Sequence, residues 1–319
     1  MKLKAVFNRD GGTFKTTDMD AYSARAEEVF RAAGHDISVS VVAGREVVER
    51  LEQAAREDGL DGLIAGGGDG TISAAAGIAW RAGIPLGVVP AGTMNLFARS
   101  LKLPLDIDLV LDTLAAGKVE AVDIATVNDR PFVHQFSAGL HARMVRMRNA
   151  MDFASRLGKM RASTRAALGV MLRPSRFEVV FDIDHDGRNE HRVVSAISVS
   201  NNPFGDNPLF FADDLTTGKL GVYLADPLKP VGVARLAFDI LRGRLKENEA
   251  VNATTAEVVR LHFPRRRHGA LCVVDGELLR MPPDVEIRLH AAELKVLVPE
   301  NRPGGSLSNR RPRALQRAG

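Results

Sequence analysis

Along the first third of the chain, short apolar runs alternate with stretches whose apolar residues recur at helical spacing. Residues 3–7 (LKAVF) predict a strand ending in a polar loop that holds Asn8, Asp10, Gly11 and Gly12. Residues 19–33 predict a helix stopped at Gly34, ISVSVV a β-branched strand, and 45–57 a second helix. LDGLIAGGGDGTI predicts a strand, a glycine loop and a helix through about Trp80, after which Gly83 and Pro85 open a strand at LGVVP. Such alternation implies a parallel sheet between helical layers, and sheets of that kind bind ligands beyond the carboxyl ends of their strands.

From about residue 120 the pattern turns to successive β-rich segments, among them RPFVHQFSA, HRVVSAISVSN, ALCVVDGELL, VEIRLHA and LKVLVP. Helices are expected only near 143–172 and 229–242, so this part predicts an antiparallel sandwich. The expected fold class is α/β plus all-β. A three-layer αβα, Rossmann-like nucleotide-binding domain occupies 1–124 and a β-sandwich domain 125–292, with 293–299 as a strand returning to the first domain and 301–319 as a flexible basic tail.

Composition narrows the class. The 319 residues are 45% hydrophobic and 26% charged, as expected for a globular chain of two domains. A single cysteine, Cys272, rules out a disulfide framework and a zinc ribbon, and fits a reducing cytoplasm. The first apolar run is too short for a signal peptide, and no run of about 18 apolar residues could span a bilayer, so any membrane contact is expected to be peripheral, at the inner face. The net charge of +4 owes much to Arg302, Arg310, Arg311, Arg313 and Arg317 in the tail. Residues 143–176 hold nine basic residues and one acid among methionines and leucines, a pattern suited to a membrane-surface helix or to a solvated cover over the sandwich. No nucleic-acid partner is expected, and a homo-oligomer is left open.

The densest chemical signal is Gly66-Gly67-Gly68-Asp69-Gly70-Thr71, between a predicted strand and a predicted helix. Missing Cβ atoms, loop N–H groups and a helix N-terminus favour a phosphate there. The segment satisfies neither GxxxxGK[ST] nor GxGxxG. Its bland alternative is a glycine turn used only for packing. Asp69, a carboxylate where phosphates would gather, is expected to orient a metal or a substrate hydroxyl. A second loop, Pro90-Ala91-Gly92-Thr93-Met94-Asn95, follows LGVVP, and Asp275-Gly276-Glu277 offers two carboxylates two residues apart, or merely an exposed hairpin turn. Asp182-x-Asp184-x-Asp186-Gly187 imitates an EF-hand start, but Val193 stands at the twelfth position, so it reads as a hairpin turn.

The pair GGGDGT (66–71) and PAGTMNLFARSL (90–101) resembles the ATP-binding signature of the bacterial diacylglycerol kinase catalytic family, which includes sphingosine and ceramide kinases. Asn8 with Gly11-Gly12, FSAGLHA (136–142), VSNNPFG (199–205) and VVDGE (273–277) extend the resemblance to about 5–298. It implies an ATP-dependent lipid kinase that transfers the γ-phosphoryl group to a hydroxyl of a membrane lipid, diacylglycerol or a related lipid alcohol, with Mg²⁺. Asn8, Ser40, Gly66, Gly67, Gly68, Asp69, Gly70, Thr71, Ile72 and Thr93 would hold nucleotide. Asp69, Asp275 and Glu277 would be catalytic, with Glu277 favoured as proton acceptor. Thr217 stands where many bacterial members have the aspartate of a structural Mg²⁺ site, which leaves that site in question. The alternatives are a soluble kinase resembling NAD kinase and a non-catalytic nucleotide- or lipid-binding regulator.

Overall fold

The computed structural model describes residues 1–150, 175–184, 187, 189–265 and 269–300, with side chains in the helix that begins at Leu140 described as far as Arg146. Most of the basic segment expected near 143–172, the tail at 301–319 and Asp186 lie outside these residues.

The α/β part is built from β1 (Lys2–Asn8), β2 (Asp36–Val42), β3 (Gly62–Gly67) and β4 (Leu86–Pro90), paired in parallel in the order β2-β1-β3-β4. Helices α1 (Met19–Ala32), α2 (Val47–Ala55), α3 (Asp69–Ala82), α4 (Leu96–Ser100) and α5 (Ile107–Ala115) connect these strands or follow them. Local chemistry sets their ends. Asp18 caps α1 by accepting the Asp20 and Ala21 N–H groups, and Gly83 closes α3 in the left-handed region at φ 69°. Phe7, Phe14 and Tyr22 meet at ring-centroid distances of 5.4–5.6 Å under β1, and burying each ring contributes roughly 2–3 kcal/mol.

The antiparallel part comprises β5 (Lys118–Val127), β6 (Arg130–Phe132), β7 (Gln135–Gly139), α6 (Leu140–Ala150), β8 (Phe177–Ile183), β9 (Glu190–Val194), β10 (Ala196–Ser200), β11 (Leu220–Ala225), α7 (Pro230–Leu241), β12 (Val251–Ala256), β13 (Val258–His262), β14 (Leu271–Val274), β15 (Glu277–Arg280) and β16 (Asp284–Val298). Six strands form one sheet in the order β12-β11-β10-β7-β14-β15. The other sheet continues from the parallel strands, β2-β1-β3-β4-β16-β13-β8-β9, so one hydrogen-bonded path joins both parts. A second core, with Phe132, Phe136, Val179, Val199, Val222 and Ile287, fills the space between the antiparallel strands of the two sheets.

Three predicted segments differ from the strands that form. RPFVHQFSA splits into β6 and β7, because the N–H groups of Val133, His134 and Gln135 all turn to one carboxylate, that of Asp275. HRVVSAISVSN splits at buried Ser195 into β9 and β10, which lie in different sheets. VEIRLHA and LKVLVP fuse into β16, a 15-residue strand with an irregularity between His290 and Leu294. There Ala292 takes φ 55° and donates its N–H to Asp123 Oδ1 at 2.9 Å. β8 and β9 pair antiparallel on either side of the segment that imitates an EF-hand start.

Candidate functional site

The site lies where β1, β3 and β4 end and where the β14–β15 hairpin reaches α3. Asn8 closes β1 and donates from Nδ2 to Thr71 Oγ1 at 2.9 Å, joining the first loop to α3. Its Oδ1 accepts the Asp10 N–H at 3.0 Å, and Asp10 Oδ2 accepts the Gly44 N–H at 2.7 Å. Ala91 in turn donates its N–H to Gly67 O and accepts the Thr13 N–H.

The glycines divide into two groups. Gly66 and Gly67 end β3 in full burial: a Cβ at Gly66 would lie 2.6 Å from Phe7 and 2.9 Å from Phe14, and one at Gly67 2.7 Å from the Thr71 side chain. Glycine is needed there for internal packing, so these two residues meet the bland alternative. Around Gly68 and Gly70 the chain is open, since added Cβ atoms would meet nothing nearer than Gly92 Cα at 3.6 Å and Glu277 Oε1 at 3.7 Å. Gly68 is the residue before α3, so the N–H groups of Asp69, Gly70 and Thr71 form the helix's first turn and have no intrahelical acceptor. Gly68 and Gly70 leave that turn uncovered, an arrangement that suits a phosphate. Ile72 is different: it is buried and its N–H is already bonded to Gly68 O at 3.1 Å, which removes it from the groups that could donate.

Asp69 binds the second loop. Its Oδ1 accepts the Leu96 N–H at 2.7 Å and its Oδ2 the Asn95 N–H at 3.1 Å, so the carboxylate caps α4. Asn95, at φ 52°, bonds both ways with the Gly92 backbone, and Gly92 must be glycine because a Cβ would come within 2.6 Å of Gly68 Cα. The two loops are thus one bonded unit. Thr93 projects from it, exposed, with its Oγ1 4.0 Å from the Cβ position of Gly12.

The hairpin turn contributes the two acids very differently. Asp275 and Gly276 adopt φ 46° and 85°, which turns the Asp275 side chain inward. Its Oδ1 accepts the His134 and Gln135 N–H groups at 3.0 and 2.9 Å, and its Oδ2 accepts the Val133 N–H at 2.9 Å and the Ser73 hydroxyl at 2.6 Å. Burial raises its pKa above the usual carboxylate value, while these four bonds pull it back. With four acceptor positions engaged, Asp275 is an anchor for the hairpin. Glu277 is half-exposed: its Oε2 is paired with Arg130, while Oε1 faces Gly70. Gly70, Ser73, Arg130 and Glu277 line a cavity of about 160 Å³ beside α3.

His134 stands between the lobes, its ring 5.8 Å from that of Phe204, and burial pushes its pKa down to about 4 against the opposing pull of Asp69. The imidazole is neutral at neutral pH. Sequence reading gave no role to His134, Ser73 or Arg130. A serine in an alanine-rich helix and an arginine before a proline carry no local signal, and their relevance arises from contact with residues 202 and 147 positions away.

Ser40 takes a place of its own. It lies on β2 opposite Val6, two residues short of the Val42–Asn8 pair at the sheet edge, and its Oγ accepts from the Arg50 guanidinium at 3.0 Å. With Glu46, Arg50 and Gln53 it lines a groove of about 410 Å³. The asparagine loop also looks inward: Asn201 donates to Asp123 O at 2.9 Å, and Asn202 to Asp123 Oδ2 at 2.7 Å and Thr217 Oγ1 at 2.8 Å. Thr217 further accepts the Lys219 N–H, Asp214 caps Thr216, and Asp213 lies 3.8 Å from Lys102. These donors are committed to one another, and no group of three His, Cys, Asp or Glu side chains suited to a metal occurs among the described residues. Among the described residues no helix is long and apolar enough to cross a membrane.

Residues 2–127 match the model of the diacylglycerol kinase catalytic domain. A diacylglycerol kinase of Bacillus subtilis is 28% identical over 287 residues, covering 88% of this chain and 91% of that protein. A probable lipid kinase, YegS-like, of Cronobacter sakazakii is 36% identical over 37% of this chain and 41% of its own length, and an uncharacterized protein of Synechocystis is 27% identical over 80% of this chain. The chain thus spans 41% of the length of the Cronobacter relative and 59% of that of the Synechocystis relative. Two solved structures from Bacillus anthracis, both described as diacylglycerol kinases, share the fold at TM-scores of 0.72 and 0.68, with 18% and 16% identity over 94% of this chain.

Proposed function

We propose, from the place of this chain in the diacylglycerol kinase catalytic-domain family through residues 2–127, that it transfers the γ-phosphoryl group of ATP to the hydroxyl of a membrane lipid, diacylglycerol or a related lipid alcohol. The observation that carries the reading is the approach of Glu277 Oε1 to Gly70, at the uncovered N-terminal turn of α3. Phosphoryl transfer needs a cradle for the donor phosphates and a proton acceptor within reach of the hydroxyl that attacks them, and in this reading these two groups, from opposite lobes, supply them.

In this reading the first-turn N–H groups of α3, with Gly68, Gly70 and Thr71, hold the donor phosphates, and Asn8 fixes the Thr71 hydroxyl from the first loop. Thr93 adds an exposed hydroxyl on the same side. Asp69 acts through structure, locking the second loop onto the first. Glu277 takes the proton of the lipid hydroxyl as its oxygen bonds to the γ-phosphorus and the bond from that phosphorus to the β,γ-bridging oxygen breaks, leaving ADP. Arg130 holds Oε2 and so fixes which oxygen of Glu277 faces the cleft. Asp275 positions the hairpin. Magnesium enters this scheme as part of the nucleotide substrate, neutralising phosphate charge.

The test is direct. Purified protein incubated with γ-labelled ATP and diacylglycerol in mixed micelles should move label into the organic phase, and a lipid-extract screen read by mass spectrometry should identify the preferred acceptor. Label that stays aqueous with every lipid tried would overturn the proposal.

A further inference from the structure

Helix α7 carries an unusual outer face. Its buried side, Val233, Leu236 and Ile240, packs on Leu140 of α6 and on Ala196 at the end of the six-stranded sheet remote from Asp275. On the opposite side Val231, Phe238 and Leu241 are 81%, 56% and 75% exposed. At about 100° per residue, Val231, Ala234, Phe238 and Leu241 fall within an arc of roughly 80°. Arg235 and Arg242 border one edge of that arc. The Arg242 guanidinium lies 5.2 Å above the Phe238 ring.

A stripe of large side chains left in water is unusual on a helix that has already buried its other face. The charge around it selects among occupants. Lys229, Arg235, Arg242, Arg244 and Lys246 lie on or beside α7, against Asp239, Glu247, Glu249 and Asp206, which pairs with Lys246 at 3.3 Å. Asp239 is turned to Asn248 at 2.6 Å, and the Arg235–Glu249 and Arg244–Glu247 pairs, at 3.5 and 3.6 Å, are solvent-exposed contacts of little strength. Lys229 and Arg242 have no ion pair among the described residues. Apolar residues along a basic margin match an anionic bilayer, where the stripe enters the acyl boundary and the cations meet phosphates.

We propose that α7 is an in-plane membrane-docking helix that seats the protein on anionic lipid through Val231, Phe238 and Leu241, with Lys229 and Arg242 at the headgroups. The inference rests on the lipid-kinase reading for its choice of a bilayer as occupant. It assigns docking to a described helix outside the basic 143–176 segment.

Co-sedimentation of the full chain with phosphatidylglycerol-rich vesicles, compared with pure phosphatidylcholine, tests it. The wild type should bind the anionic vesicles and release with salt. Phe238→Glu with Leu241→Glu should bind roughly 10-fold or more weakly, since two apolar contacts are replaced by charges the bilayer repels. Both positions face water, so the melting temperature should hold. Phosphorylation of diacylglycerol in vesicles should fall with binding, while activity on the same lipid dispersed in detergent stays within about twofold. Unchanged vesicle binding in the double variant would overturn the docking role. So would light scattering that shows a wild-type dimer and a variant monomer, which would make the stripe a contact between copies. Absence of any lipid phosphorylation by the wild type would defeat the kinase reading alone, because the vesicle measurement needs no turnover.

Discussion

The six-stranded sheet has two unlike ends. At the end marked by Gln135, Ser200 and Val274, polar side chains are buried and bonded: Ser200 is 1% exposed and Asp275 8%, with Ser200 bonded to Asn202 O and Asp275 to four donors. At the end marked by Gly139, Ala196 and Ala225, α7 leaves apolar side chains in water. Polarity and burial are inverted between them. A protein tolerates buried polar groups where their bonds fix a geometry, and exposed apolar groups where something else will cover them.

The sharpest way to break this comparison is at Glu277. Glu277→Gln removes a proton acceptor but only an exposed ion pair, so turnover of lipid should fall by a factor of about 100 to 10,000 while stability moves by less than about 0.5 kcal/mol. Parallel kinetics and denaturant titration would show both. Asp275→Ala should give the reverse signature: it strands the N–H groups of Val133, His134 and Gln135 with the Ser73 hydroxyl, and equilibrium unfolding should register a loss of roughly 3–5 kcal/mol. If Asp275→Ala were as stable as wild type, the anchoring role would be wrong.

A smaller effect is expected with pH. The His134 imidazole takes up a proton near 6.5 when unfolded but only at about 4 when folded. Between those values the unfolded chain holds more protons, so stability should decline as pH falls, by on the order of 2 kcal/mol. Asp275, with its folded pKa raised, slopes the other way, and the comparison that isolates the histidine is His134→Asn against wild type. The variant's melting temperature should fall less steeply over the same range. The smallest effect belongs to Asp69→Ala, which uncaps α4 and should lower stability by about 1 kcal/mol. Faster hydrogen exchange at Asn95 and Leu96 would localise that loss.

Much of the fold was readable in the sequence because it is local. Alternation of period and punctuation by glycine reveal β1 to β4 and their helices, and the change to dense strands beyond residue 120 reveals an antiparallel part. What periodicity cannot state is a strand's partner. HRVVSAISVSN reads as one strand, yet its halves part at buried Ser195 into separate sheets, the Ser195 N–H going to Ala225 O and its carbonyl taking the Leu140 N–H. The site was readable as motifs and less so as roles. GGGDGT runs into the first turn of α3, as its strand–loop–helix context suggests, but Phe7 and Phe14 dictate Gly66, and capping of α4 engages Asp69. Ser73 and Arg130 become visible only when the chain has brought distant segments together.

β16 carries a mechanical consequence. Its second half runs beside β4 and its first half beside β13, with β5 paired along both, so a two-stranded ribbon crosses from one lobe to the other without a linker. Opening of the gap between α3 and the β14–β15 hairpin must therefore bend this ribbon instead of swinging a joint. Its compliant point is where Ala292 steps out of register and is pinned by Asp123. The stiffness of that bend sets how far Glu277 can retreat from Gly70 to admit an acceptor, and how firmly it returns.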